Sequence, residues 1–301
     1  MKPYLAAFIS SCLFGLSFTF SRSALQHVDP MQMLSFRFLL AAALMHALRA
    51  VGVIKLDLRS KDIRPLLMLG VIQPVLYFIF ETVGISLTSA SEASIVVALI
   101  PVFTVLFAVI FLKERPTWVQ LCFAAVSVAG VLLITAVEAL GEASGNLAGL
   151  IILLGAPICA ACFTVLSRHL SVRFRPAEIT FVMMNLSAVA FTILAVLENA
   201  FAGSLHSFLA PLAQPPVWTA VLYLGAFSSV GAFFLVNYVL SQLEAYRMSV
   251  FNNLTTLIAV AAAVLILQEP LPWYHVVGGA LIISGVWGTT AASAKGRAGR
   301  A

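Results

Sequence analysis

Ten apolar stretches, each close to the length of a bilayer crossing, fill most of this chain. They run over 4–21, 31–49, 65–86, 91–111, 117–136, 148–166, 177–197, 217–240, 247–267 and 273–292. A helix needs about 20 mainly apolar residues to cross the hydrocarbon core. In lipid the backbone must satisfy its own polar groups, and a helix does so within one segment. A β-barrel would need short alternating strands, whereas these runs are continuous. The first run is read as a span rather than a signal peptide, because only Lys2 precedes it and no A-x-A site follows. With 61% hydrophobic and 10% charged residues, the chain lacks the charge to cover a soluble globule, which carries about 25%. A soluble enzyme, a secreted disulfide scaffold and a disordered chain are thereby excluded. The expected fold class is an all-α polytopic membrane protein with ten transmembrane helices.

The basic residues orient the spans. The N-terminus, the even-numbered connections and the C-terminal tail carry 15 of the 17 Lys and Arg residues. Among these are Arg49, Lys55, Arg59, Lys61 and Arg64 in the second connection, and Lys295, Arg297 and Arg300 in the tail. The opposite side has Arg22, and Arg37 lies inside the second span. Both termini are therefore expected in the cytoplasm. This placement explains the net charge of +5 without a nucleic-acid partner.

A shift of 155 positions aligns 90–135 with 245–290, with 13 of 46 columns identical, Ser94/Ser249, Glu114/Glu269, Trp118/Trp273 and Gly130/Gly285 among them. An earlier segment matches at a shift of 146, pairing Ser21, Arg22 and Pro30 with Ser167, Arg168 and Pro176. Each copy holds five spans, an odd number, so the second must enter the membrane upside down. The charges follow: "KER" at 113–115 becomes "QEP" at 268–270. The expected organisation is a first five-helix repeat at 4–136, an inverted second at 148–292, and a basic cytoplasmic tail at 293–301. Inverted repeats are the architecture of secondary transporters, with the solute site near the midplane.

The motifs "RFLLAA" (37–42), "ETVGISLTSASEASIVVALIPVFTVLFAVIFLKE" (81–114) and "NYVLSQLEAYRMSVFNNLTTLIAVAAAVLILQEPL" (237–271) resemble the EamA-type branch of the drug/metabolite transporter superfamily, over roughly residues 4–292. The resemblance implies inverted five-helix bundles around a central cavity in a bacterial-type inner (plasma) membrane. It also implies transport of a small metabolite such as an amino acid, with efflux favoured. It places the first, third, fourth, sixth, eighth and ninth helices at the cavity. One departure is Pro101, whose counterpart is Thr256.

An intramembrane charge is a functional-site hypothesis by default, and two candidates lie away from the span ends, Arg37 and Glu81. At 1.5 Å per residue they lie roughly 10 Å and 9 Å below the outer ends of their spans. Glu81 then has two readings. Paired with Arg37, it is structural or gates the outer side; facing the cavity alone, it carries a proton. Gln73, Tyr77 and Glu81 recur every four residues and would share one helical stripe, either lining a wet cavity or bonding to other helices. The ninth span opens with Ser249, Asn252 and Asn253, and the eighth holds Ser228, Ser229 and Asn237. Asn supplies both donors and acceptors, which suits a zwitterionic or hydroxylated solute, though helix-to-helix bonding serves equally. Ser17 of the first span and Ser94 of the fourth complete the candidate solute-binding set, together with Pro101, which bends a helix or frees a carbonyl.

Other features have local explanations. Ser89 and Glu92 form a capping box opening the fourth span; Pro176 with Glu178 opens the seventh. Glu114 and Glu269 are read as loop organisers. Gly278, Ala280 and Gly285 permit close helix approach, within the chain or in a homodimer. Cys159 and Cys162 form a CxxC, but no other thiol or histidine stands close in sequence to complete a metal site, so none is expected. The absence of a Walker motif excludes ATP hydrolysis by the chain itself, leaving an ion gradient, with proton coupling through Glu81, or the solute gradient alone. No cofactor is expected. An intramembrane enzyme lacks HExxH, and all five histidines sit near span ends. A non-transporting receptor or assembly factor is the remaining alternative.

Overall fold

Prolines mark where many of the helices begin. In the computed structural model, which describes residues 2–58, 61–87, 96, 97, 99–139, 147–266 and 273–298, helices start on Pro3, Pro30, Pro176 and Pro215. The missing N–H of proline is no loss in a first helical turn. The elements are α1 (Pro3–Ala24), α2 (Pro30–Ala50), α3 (Arg64–Gly70), a π-helical turn π1 (Val71–Leu76), α4 (Tyr77–Leu87), α5 (Ile100–Leu112) and α6 (Trp118–Ala139). They continue with α7 (Leu147–Leu153), α8 (Gly155–Leu170), α9 (Pro176–Phe201), α10 (Pro215–Leu222), π2 (Tyr223–Ala232), α11 (Phe233–Gln242), α12 (Ala245–Ile266) and α13 (Trp273–Ala298). No strand occurs among the described residues. Six described helices have the length and apolar composition to cross a membrane: Pro3–Ser21, Pro30–Ala50, Arg64–Gly84, Leu147–Leu170, Pro176–Phe201 and Pro215–Gln242. Ile100–Leu112 and Trp118–Leu133 are shorter apolar helices.

The chain divides into two compact units, 1–75 with 170–241, and 76–169 with 242–301. Each unit therefore draws on both halves of the sequence. Within the first, α2 packs against α9, with Phe38 and Phe191 stacked at 5.4 Å over buried Met45, Met183 and Met184. Polar pairs tie the same helices: Ser35 Oγ lies 3.0 Å from Thr192 Oγ1, and a His46 ring nitrogen lies 2.8 Å from Asn185 Oδ1. α1 lies along π2 through an aromatic ladder. Phe20 stacks on Tyr223 at 4.2 Å, and Tyr223 donates its hydroxyl to Leu13 O at 3.0 Å.

Within the second unit, α6 and α13 meet backbone to backbone. A Cβ on Gly130 would lie 2.6 Å from Gly278 O, and a Cβ on Gly285 would lie 2.5 Å from Phe123 O. The two contacts are reciprocal under the 155-residue shift, which maps 130 to 285 and 123 to 278. Lipid tails are as apolar as leucine, so helices in a membrane associate by close packing and hydrogen bonds rather than by escape from water. Glycine at these positions provides the close packing. Gly278 and Gly285 thus serve packing within the chain.

Candidate functional site

Arg37 projects from the middle of α2 and is 5% exposed. Its Nε donates to Ser229 Oγ at 2.7 Å and its Nη2 to Ser228 Oγ at 3.1 Å. Both serines come from π2. A π-helical turn is rare and often marks a functional site. The approach is close because residue 225 is glycine; a Cβ there would lie 2.9 Å from Leu40 Cδ2 and 3.1 Å from Arg37 O. A buried guanidinium needs hydrogen-bond acceptors to offset its lost hydration, and the paired serines supply two.

The other irregular turn, π1, holds Gln73. Its backbone is extended (φ −147°, ψ 125°), so the continuous stripe of Gln73, Tyr77 and Glu81 expected from helical spacing does not form. The reason is Pro74, which disfavours helical backbone at the residue before it. Gln73 Oε1 is buried without a hydrogen-bond partner among the described residues, an arrangement that calls for a ligand or water. Beyond the break the helical spacing holds: Tyr77 donates its hydroxyl to Glu81 Oε1 at 2.9 Å.

The remaining candidates divide by unit. In the first, Asn237 is fully buried and donates to Thr180 Oγ1 at 3.0 Å, while Ser17 Oγ donates to its own helix at Phe14 O, 2.6 Å. In the second, Asn253 is buried and donates to Ser127 Oγ at 2.9 Å, tying α12 to α6. Asn252, beside it, is half-buried and makes no side-chain hydrogen bond among the described residues. Pro101 stands in the first turn of α5, after the N-cap Leu99, where its missing N–H breaks no helical bond. Ser94 and the Ser89–Glu92 capping box lie outside the described residues. Among the described residues no group of His, Cys, Asp or Glu is arranged to hold a metal.

Glu114 organises a helix end. Its carboxylate accepts the N–H groups of Ala245 (2.9 Å) and Tyr246 (3.3 Å) at the start of α12. Burial raises the Glu114 carboxyl above the usual range, opposed by those two N–H bonds; nearby Glu244 raises it further and Arg168 lowers it. A carboxyl whose folded pKa exceeds its unfolded one favours the folded state at low pH, and that contribution fades as pH rises through the folded value. In Glu114→Gln this dependence disappears. Thermal unfolding of the two proteins should therefore show wild type losing stability relative to the variant as pH rises from the ordinary glutamate range toward neutrality. Parallel curves would contradict it.

Sequence comparison places these residues in a known family. The profile of the EamA-like transporter family matches residues 1–136 and again 147–291. The chain belongs to this family, within the drug/metabolite transporter superfamily. It is 38% identical over 286 residues, 95% of this chain and 92% of the other, to the Bacillus subtilis protein named "Uncharacterized transporter YcxC". It is 27% identical over 76% of this chain and 73% of the other to a Streptantibioticus cattleyicolor protein named "Probable terminal-alkyne amino-acid exporter". An Escherichia coli protein named "Probable amino-acid metabolite efflux pump" is 23% identical over 95% of this chain and 94% of the other. One solved crystal structure superimposes with a TM-score of 0.78 over 98% of each chain at 19% identity, a likeness of fold. Family and apolar helices together make this EamA protein a multi-pass membrane transporter rather than an enzyme.

Proposed function

We propose that this chain is a secondary transporter that exports a small polar or amphipathic metabolite, an amino acid or a close relative, across the inner membrane by alternating access. The observation that carries the reading is a pair of helices that depart from α-helical geometry at matching positions. Adding 155 to 71–76 gives 226–231, inside π2, so both sequence halves leave α-helical geometry at a matching place, one through the extended Gln73 and the other through a continuous π-helical stretch, a departure that often marks a functional site. The buried Gln73 Oε1 at π1 and the Arg37–Ser228–Ser229 bonds at π2 put polar chemistry at both.

The reading includes ten spans in two inverted repeats, 4–136 and 148–292, with both termini and the 293–301 tail in the cytoplasm. The reciprocal glycine contacts of α6 and α13 support it, since interchange of equivalent residues is the mark of a two-fold relation. The two matches of the family profile support it as well. Gln73, Tyr77 and Asn252 are the first choices for contact with solute, with Glu81, which Tyr77 bonds, a secondary one. Glu81 is also the proposed proton carrier, and Arg37 a gating residue. Ser17, Ser94, Pro101, Asn237 and Asn253 are the further candidates. The relatives named as amino-acid exporter and efflux pump suggest the solute class and direction.

Counterflow in proteoliposomes tests this. Vesicles preloaded with an unlabelled amino acid should accumulate the labelled one, and Gln73→Ala should reduce the initial rate about tenfold, by the roughly 1–2 kcal/mol that one polar contact supplies. Absence of counterflow across a broad metabolite panel would favour a receptor or assembly factor.

A further inference from the structure

The α2/α9 pair carries at each of its ends a side chain that holds the connection leaving the other helix. Glu178, the third residue of α9, is fully buried. It accepts the N–H of Asp57 at 2.9 Å, that of Arg175 at 2.9 Å and the Lys61 ammonium at 2.8 Å. The Lys61 ammonium also lies 5.3 Å from the centre of the Phe174 ring. The shift of 146 carries Gln32, Val28 and Asp29 onto Glu178, Phe174 and Arg175. Gln32 is the third residue of α2 and is 3% exposed. It donates Nε2 to Phe208 O in the connection after α9.

The two ends differ in what fills them. Lys61 occupies the Glu178 end. At the Gln32 end lies a cavity of about 380 Å³, lined by Asp29, Gln32, Asn199, Ser204, Ser207 and His27 among others. Gln32 Oε1 makes no hydrogen bond among the described residues. Asn199 Oδ1 takes one bond, from Ser204 Oγ at 2.9 Å, and keeps a second lone pair. The lining contains the Asp29 carboxylate and neither Lys nor Arg.

We propose that this cavity binds a primary ammonium group. Oxygen acceptors from both helices and their connections line one pocket, with one carboxylate and, among the described lining residues, no Lys or Arg; this suits a donor of three N–H bonds carrying positive charge. The matching end of the same helix pair already holds such a group, the Lys61 ammonium. The pocket is open on one side and holds only about 380 Å³, so the ligand is a small amine. The site goes beyond the transport reading and does not depend on it.

Calorimetric titration of the full chain in lipid nanodiscs with n-butylammonium chloride tests the proposal. Saturable binding is expected. Tetramethylammonium, equal in charge but without N–H donors, should bind at least about tenfold more weakly, and Asp29→Asn should weaken butylammonium about tenfold. Asp29→Lys, which supplies an ammonium of its own, should remove binding. Unchanged melting temperatures and counterflow in these surface variants would separate this cavity from the transport path. Lack of saturable butylammonium binding, equal binding of tetramethylammonium, or unchanged affinity in a folded Asp29→Asn protein would each overturn it.

Discussion

Leucine in place of Gly285 is expected to leave little folded protein in the membrane. The first atom of any side chain there would lie 2.5 Å from Phe123 O, 2.5 Å from Ser127 Cβ and 2.7 Å from Ser127 N. Two of those three atoms are backbone, so no change of rotamer relieves the contact, and α6 and α13 must separate along their length. Overpacking of a tight interior costs about 1–3 kcal/mol when side chains can yield; against backbone we expect the upper end or more. The bilayer adds no hydrophobic drive to hold the spread helices together, because their association rests on this close packing itself. The check is the yield of monodisperse protein after membrane extraction, with its melting temperature. Gly231→Ala is the control: the added Cβ would meet only Leu13 Cδ1 at 3.5 Å and Ala226 O at 3.6 Å, so near-normal yield is expected. Normal yield and melting for Gly285→Leu would contradict the described packing.

Glu81→Gln carries the largest expected effect on activity. Glu81 is an intramembrane acid half-buried in α4, bonded by Tyr77 one turn before it. Glutamine keeps the size and can still accept the tyrosine proton, but it cannot exchange a proton with either compartment. Accumulation driven by an imposed pH gradient should therefore fall to background, while counterflow, which needs no net proton movement, persists. Retained pH-driven accumulation would remove Glu81 as the coupling residue; loss of counterflow as well would assign it to solute binding or to structure.

The helices themselves were legible because their signals are local. The expected span 31–49 lies inside α2 and 177–197 inside α9, each opened by its proline. The tie of Glu178 to the start of its helix was equally readable, since Pro176 and Glu178 stand two residues apart. The break at Gln73 is also local in cause, yet the four-residue recurrence of Gln73, Tyr77 and Glu81 concealed it. A polar pattern says nothing of backbone angle, and Pro74 decided it. Partners from distant segments were not legible. Ser228 and Ser229 stood out as polar residues, but their attachment to Arg37 spans about 190 positions and depends on Gly225 letting the helices approach. The Glu178–Lys61 contact likewise joins segments 117 positions apart.

The central claim is that two similar halves thread the membrane in opposite senses and so form a transporter. Single cysteines placed at Lys113 and at its counterpart Gln268, then labelled in sealed, oriented vesicles with a reagent that cannot cross lipid, test it most directly. Labelling of position 113 from the cytoplasmic face and of position 268 from the outer face is the predicted result. Labelling of both from one face would contradict it.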